Sequence, residues 1–273
     1  MVQKQWEEAI KEISKVEEMQ AFLRSQGMKQ KIICITGPGG NAKTSTAKRA
    51  RNLMKAHAVY FDDTIFSHEK KFPRKYDDLV DVPLTKEISN DKKKFEDWHI
   101  TNICKNKATY LQALMRVSTY AQRLFCQNTL KRRYKDLGGT DWLSAGFEQE
   151  PDLDTTITDG FALWNWLGKN ADCIINIGSS DPEGAYYRQA QRQNVQPEKL
   201  CVFLNGVKSA NEAAAIVRNE TLGTVKYTQI INQIVTNKDG KMTPEEVDLA
   251  IKAEINRLAH EVVRIANAEN ERL

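Results

Sequence analysis

A short apolar run, Lys31-Ile32-Ile33-Cys34-Ile35-Thr36, feeds without a spacer into Gly37-Pro38-Gly39-Gly40-Asn41-Ala42-Lys43-Thr44, and a helical pattern follows over 43–56. A strand that must turn through glycines straight into a helix limits the folds open to the chain, because the turn has to lie at the carboxyl end of a buried strand. The residue types have a common purpose. Glycines let successive backbone N–H groups curl around an anion, and the first turn of the helix adds unpaired N–H donors and partial positive charge. Lys43 supplies a mobile cation and Thr44 a hydroxyl.

The rest of the chain repeats the alternation. Residues 57–61 read as a second strand ending at Asp62-Asp63, and strands follow at 155–158, 172–177 and 199–204. Helices are expected at 161–169, 182–193 and 209–219, an apolar segment at 225–235 fits strand or helix, and a last helix covers 244–270. Strands alternating with helices predict an α/β fold, a mostly parallel sheet with helices on both faces. Residues 1–27 form an amphipathic N-terminal helix in this reading, and 28–273 form the main domain. That domain carries a helical insertion at about 84–138, rich in Lys, Arg and Gln, between the second and third strands. Residues 64–83 and 145–154 read as loop, and Gly138-Gly139 breaks the helical block.

Forty basic against thirty-six acidic residues leave a net charge of +4, which does not call for a nucleic-acid partner. The five cysteines, Cys34, Cys104, Cys126, Cys173 and Cys201, contain no C-x-x-C pair, and the four histidines are scattered. They predict reduced thiols, with Cys34, Cys173 and Cys201 buried in apolar runs, rather than a disulfide frame or a zinc site. With no signal-like leader and no run of eighteen apolar residues, the expectation is a cytoplasmic protein without a membrane span.

The turn fits the Walker A pattern G-x-x-x-x-G-K-[ST], with Ala42 in place of the last glycine. That pattern assigns phosphate binding to Gly37, Gly39, Gly40, Asn41, Ala42, Lys43, Thr44 and Ser45, with ATP as the bound nucleotide and Mg²⁺ on Thr44. The turn resembles that of the uridine-kinase-like and zeta-toxin-like P-loop kinases. Val59-Tyr60-Phe61-Asp62-Asp63 is similar to the stretch where those kinases carry the carboxylate that activates the acceptor hydroxyl. Asp159-Gly160 is similar to their acidic-glycine pair, which would make Asp159 a second metal ligand. Tyr186, Tyr187, Arg188 and Arg192 stand where their lid helix carries arginines. The resemblance therefore implies an ATP-dependent phosphotransferase with Lys43, Asp62, Asp63, Asp159, Arg188 and Arg192 in catalytic roles and an unidentified small-molecule or nucleotide acceptor. Leu137-Gly138-Gly139-Thr140-Asp141-Trp142-Leu143 and Asn211-Glu212-Ala213 also resemble phage-type deoxynucleoside monophosphate kinases.

A second resemblance stays open. Gly39-Gly40-Asn41-Ala42-Lys43-Thr44-Ser45-Thr46-Ala47 is similar to the turn of partition-type ATPases, with Pro38 replacing their lysine. Asp172–Gly178 is similar to their metal-binding strand, with Asn176 where an aspartate belongs. This resemblance implies a homodimerising ATPase. Ala42 and Asn176, both departures from pattern, also leave open a nucleotide-binding protein without activity. Lastly, 235–246 has the spacing of a degenerate EF-hand loop, with Val235 in place of its first ligand. The alternative is an Asp239-Gly240 turn and a helix capped by Thr243, with Pro244 at its first position and Glu246 closing a capping box.

Overall fold

The computed structural model describes residues 31–60, 77–114, 155–160, 163, 167–168, 171–234 and 241–270. The expected N-terminal helix, Asp62 and Asp63, the Gly138-Gly139 break, the 145–154 loop and the first half of the EF-hand-like loop, 235–240, lie outside them.

Five strands form one sheet: β1 (Lys31–Thr36), β2 (His57–Tyr60), β3 (Thr155–Gly160), β4 (Cys173–Ser179) and β5 (Thr228–Asn232). Their order is β2-β3-β1-β4-β5, and every pair is parallel. This is the expected α/β architecture. The helices are α1 (Lys43–Met54), α2 (Lys86–Asn90), α3 (Lys92–Trp98), α4 (Pro182–Arg192), α5 (Leu200–Leu222) and α6 (Pro244–Asn270).

Side chains alternate across β1 and so feed two cores. Ile33 and Ile35 join Ile157, Ile175 and Ile177 against α1 and α6, through Ala47, Ala50, Leu258 and Val262. Ile32 and Cys34 face the other way with Ile174, against Ala213 and Ala214 of α5 and the insertion residues Phe95, Trp98, Ile103 and Leu114. Alanines on α1 let that helix lie close on the sheet.

The insertion starts with two capped helices. Thr85 accepts the Ile88 N–H at the start of α2, and Asp91 accepts those of Lys93 and Lys94 at the start of α3. A π-helical turn, His99–Ile103, continues α3, and 107–114 are helical again. The Trp98 indole donates to the Val82 carbonyl at 2.8 Å and pins the block to the chain entering it.

Two expectations need correction. The strand expected at 199–204 and the helix at 209–219 are one helix, α5, entered through a 3-10 turn at Pro197–Lys199. A short apolar run fits either element, and here its burial is helical: Phe203 and Val207 are buried while Val202 is more than half exposed. For the same reason Cys201 is exposed, whereas Cys34, Cys104 and Cys173 are buried free thiols. Against the expectation of no apolar span, the segment 197–222 is long and apolar enough to cross a membrane by length and composition, with 33% of that window buried; Ala213 and Ala214 belong to the core cluster, and Asn211 and Arg218 are buried polar groups.

The segment 225–235, open between strand and helix, supplies β5. At 243–246 the capping box is present: the Thr243 hydroxyl accepts the Glu246 N–H at 3.2 Å and Glu246 accepts the Thr243 N–H at 2.7 Å.

Candidate functional site

The glycine turn crosses the carboxyl edge of the sheet between β1 and α1, pressed against two neighbours. Gly37 has φ of 137°, and a Cβ there would stand 2.3 Å from the Ile177 carbonyl oxygen at the end of β4. Gly40 has φ of 75°, and its Cβ would stand 2.5 Å from the Ala185 carbonyl oxygen on α4. Backbone occupies both places, so side chains are excluded on two counts. Between them the buried Asn41 donates from Nδ2 to the same Ile177 carbonyl at 2.9 Å, fastening the turn to β4.

Ala42 has φ of 58° and ψ of 18°, left-handed, and forms the N-cap of α1 without a side-chain hydrogen bond. The missing glycine of the pattern therefore falls where the backbone does need positive φ. Because no side chain caps α1, the N–H groups of its first turn are not engaged by a capping oxygen.

Lys43 is buried, and its ammonium donates to the Pro38 carbonyl at 2.7 Å, folding the side chain back over the turn. Thr44 donates its hydroxyl to the Asp159 carboxylate at the end of β3. Register explains the meeting: Gly160 lies level with Thr36, so Asp159 reaches the sheet edge beside the start of α1. The Gly39 N–H donates to Asn211 Oδ1 of α5 at 2.5 Å. Asn211 in turn donates to the Val207 carbonyl at 2.9 Å, which sets the orientation of its amide.

The turn opens into a cavity of about 530 Å³ lined by Gly39 through Ser45, by Lys48, Asp159 and Gly160, by α4 residues Gln189 and Arg192, and by α5 residue Asn211. The opposite wall belongs to the insertion, with Phe95, Glu96, His99, Ile100, Cys104 and Tyr110 among its residues. The His99 ring lies 5.6 Å from the Phe95 ring and meets the Tyr110 ring edge-on at 5.8 Å. Its Nδ1 is 3.5 Å from Cys104 Sγ. Burial pushes the Cys104 thiol far up, as it does the Cys34 thiol behind Asp159, so neither is a nucleophile.

The residues read from the sequence thus divide. Gly39, Gly40, Asn41, Ala42, Lys43, Thr44, Ser45, Asp159 and Arg192 line one cavity, and Gly37 sets the turn beneath it. Arg188 does not line it: its guanidinium pairs with Asp181 at 3.2 Å, both side chains mostly buried. Burial lowers the Arg188 pKa, against the opposing pull of Asp181. Asp181 also caps α4 by accepting the Gly184 N–H at 3.0 Å. Asn176, opposite Thr36 on β4, donates to Gln229 at 2.7 Å.

Gln189, Glu96 and the aromatic wall are absent from the motif-based reading. The signal that points to them is topological: an insertion between adjacent strands β2 and β3 leaves and rejoins the sheet at the edge where ligands of open α/β folds gather.

Magnesium suits this chemistry. Thr44 and Asp159 put a hydroxyl and a carboxylate oxygen side by side, hard donors of the kind that share Mg²⁺ with phosphate and water. Among the described residues there is no group of three or more His, Cys, Asp or Glu that could hold a metal by itself.

No family model matches the chain, and no curated protein is similar to it. Among solved structures it is similar to TT1252 from Thermus thermophilus, at 13% identity and a TM-score of 0.34, over 84% of this chain and 97% of that one.

Proposed function

We propose that the protein binds ATP·Mg²⁺ on the glycine turn and transfers the γ-phosphoryl group to a small organic hydroxyl. The observation that carries this reading is the convergence of Lys43, the Thr44–Asp159 pair and the Gly39 N–H on one cavity whose far wall is a separate helical insertion.

In this reading the turn's N–H groups and the first turn of α1 hold the phosphates, and Lys43 leaves the Pro38 carbonyl for the β and γ oxygens. Thr44 and Asp159 hold Mg²⁺, which neutralises charge on the transferring group when bound. Arg192 adds a cation from α4. The acceptor oxygen forms its bond to the γ-phosphorus as the bond to the β–γ bridging oxygen breaks, and ADP leaves with that electron pair. The hydroxyl proton needs a carboxylate. Asp159 accepts from Thr44; Glu96 also lines the cavity and is a candidate for that role, beside Asp62 and Asp63, which the sequence nominated.

Calorimetry with ATP·Mg²⁺ on wild type and Lys43→Ala tests the binding step, and binding should be lost in the variant. Equal affinity in both removes the reading. ADP release that depends on an added acceptor supports the kinase. Release that ignores acceptors and rises with protein concentration favours the dimerising ATPase instead.

A further inference from the structure

We propose that the insertion-walled half of the cavity is the acceptor site, that it takes an uncharged, ring-bearing alcohol, and that Gln189 positions the hydroxyl to be phosphorylated. The inference rests on the phosphotransferase reading above and names its substrate class.

The cavity is divided by chemistry. The cations that line it apart from Lys43, namely Lys48, Lys92 and Arg192, are all exposed and therefore stand at its rim. The deep wall is apolar and buried: Phe95, Cys104, Tyr110, Ala113, Leu114 and Val207. Among its described residues that wall holds no buried cation or anion to replace the hydration that a charged group pressed against it would lose. Rim cations instead suit the triphosphate, which carries the charge of the reaction.

The aromatic arrangement adds the preference for a ring. Phe95, His99 and Tyr110 present tilted and edge-on rings to one space, a surface on which a flat ring gains both area and favourable edge-to-face contact. At about 530 Å³ the cavity is within the usual range for an organic ligand.

Gln189 supplies the remaining observation. Its Oε1 is buried and accepts no hydrogen bond among the described residues. It lies 3.4 Å from the point where a Cβ on Gly39 would stand, so it borders the turn on the side of the cavity. A buried acceptor of this kind calls for a donor, and an attacking hydroxyl is a donor that must stand beside the turn. Gln189 takes that hydrogen bond as the alcohol binds and aims the oxygen at the γ-phosphorus; the hydroxyl then turns its single hydrogen to the carboxylate that serves as base, which takes the proton as the new P–O bond forms and passes it to solvent. An amide cannot take the proton itself, so Gln189 is a positioning residue.

The test uses the full chain with the non-hydrolysable analogue AMP-PNP·Mg²⁺ and saturation-transfer NMR. Probes are tryptophol and uridine as uncharged ring alcohols, sorbitol as an acyclic one, and uridine monophosphate as a charged one. The ring alcohols should bind, sorbitol and the monophosphate should not, and Ala113→Leu should weaken ring-alcohol binding at least tenfold while ATP affinity changes less than twofold. With ATP, Gln189→Leu should cut kcat at least tenfold and leave KM for ATP unchanged, and Gln189→Asn should recover part of it. Binding of sorbitol or the monophosphate in preference to the ring alcohols overturns the acceptor class and leaves the phosphotransferase standing. A Gln189→Leu enzyme with unchanged kcat overturns the positioning role. Failure of wild type to bind ATP removes both the reading and the inference.

Discussion

Ala42 gives the most direct test of the turn. Its backbone is left-handed, at φ 58° and ψ 18°, where an L side chain crowds the following carbonyl at a cost of about 1–2 kcal/mol. Ala42→Gly removes that cost. Glycine also widens the unfolded ensemble, which returns about 0.4–1 kcal/mol in the opposite direction. The difference of those terms spans about 0–1.6 kcal/mol, with a central expectation of about 0.8 kcal/mol of stabilisation. For a chain of this size that central value is a rise in Tm of about 2–3 °C. Scanning calorimetry of wild type, Ala42→Gly and Ala42→Val gives the order, with valine lowest because a β-branched residue tolerates this conformation worst. The glycine variant should also bind ATP·Mg²⁺ at least as tightly, since the turn is relieved of strain and loses no polar contact. A glycine variant that melts at or below wild type, or binds ATP more weakly, refutes the reasoning: the alanine would then be an adaptation of the turn and not a strained replacement.

Two further predictions probe contacts beyond the turn. Asn211→Asp sets a carboxylate against the Gly39 N–H that the triphosphate has to use, so ATP affinity should fall at least tenfold, about 1.4 kcal/mol, by calorimetry, while Asn211→Ala stays within threefold of wild type. Glu254 joins α6 to β5: it accepts the Gln233 N–H at 2.7 Å and pairs with Arg257, which itself donates to the Ile231 carbonyl. Burial pushes the Glu254 carboxyl up, but the hydrogen bonds from Arg257 and the Gln233 N–H outweigh it and hold the pKa below its ordinary 4.5. A lowered folded-state pKa stabilises above the unfolded value and loses that effect as pH falls through the folded one. Urea melts should therefore find Glu254→Gln less stable than wild type at neutral pH, with the gap closing as the pH drops below 4.5.

What was legible in the sequence is what short-range physics fixes. The β1–turn–α1 unit stood out because glycines, a lysine and a threonine occur at one spacing between two periodic segments, and the parallel sheet followed from alternation along the chain. Asp159 was legible as a carboxylate ending a strand. Its contact with Thr44 was not, because that depends on β3 lying beside β1 across an insertion of many residues. Arg188 and Arg192 looked equivalent at helical spacing. Asp181, seven residues before Arg188, holds one of them at the start of α4 and leaves the other on the cavity. The apolar stretch at 199–204 was ambiguous because strand and helix bury such a run equally well until its packing partner is known.

That partner explains why α5 carries so much of the site. Its Gly206 faces the π-helical turn of the insertion closely enough that a Cβ would stand 2.8 Å from Ile100 Cγ2 and 3.2 Å from the Ile100 carbonyl oxygen. The π turn places His99 and Ile100 on the cavity, and Gly206 lets it settle against the helix. Next to it on α5, Val207 lines the same cavity, and one turn further along Ala210 does so too and Asn211 reaches the Gly39 N–H. Another turn on, Ala213 and Ala214 rest on the sheet. A single helix therefore touches the insertion wall, the glycine turn and the core in succession.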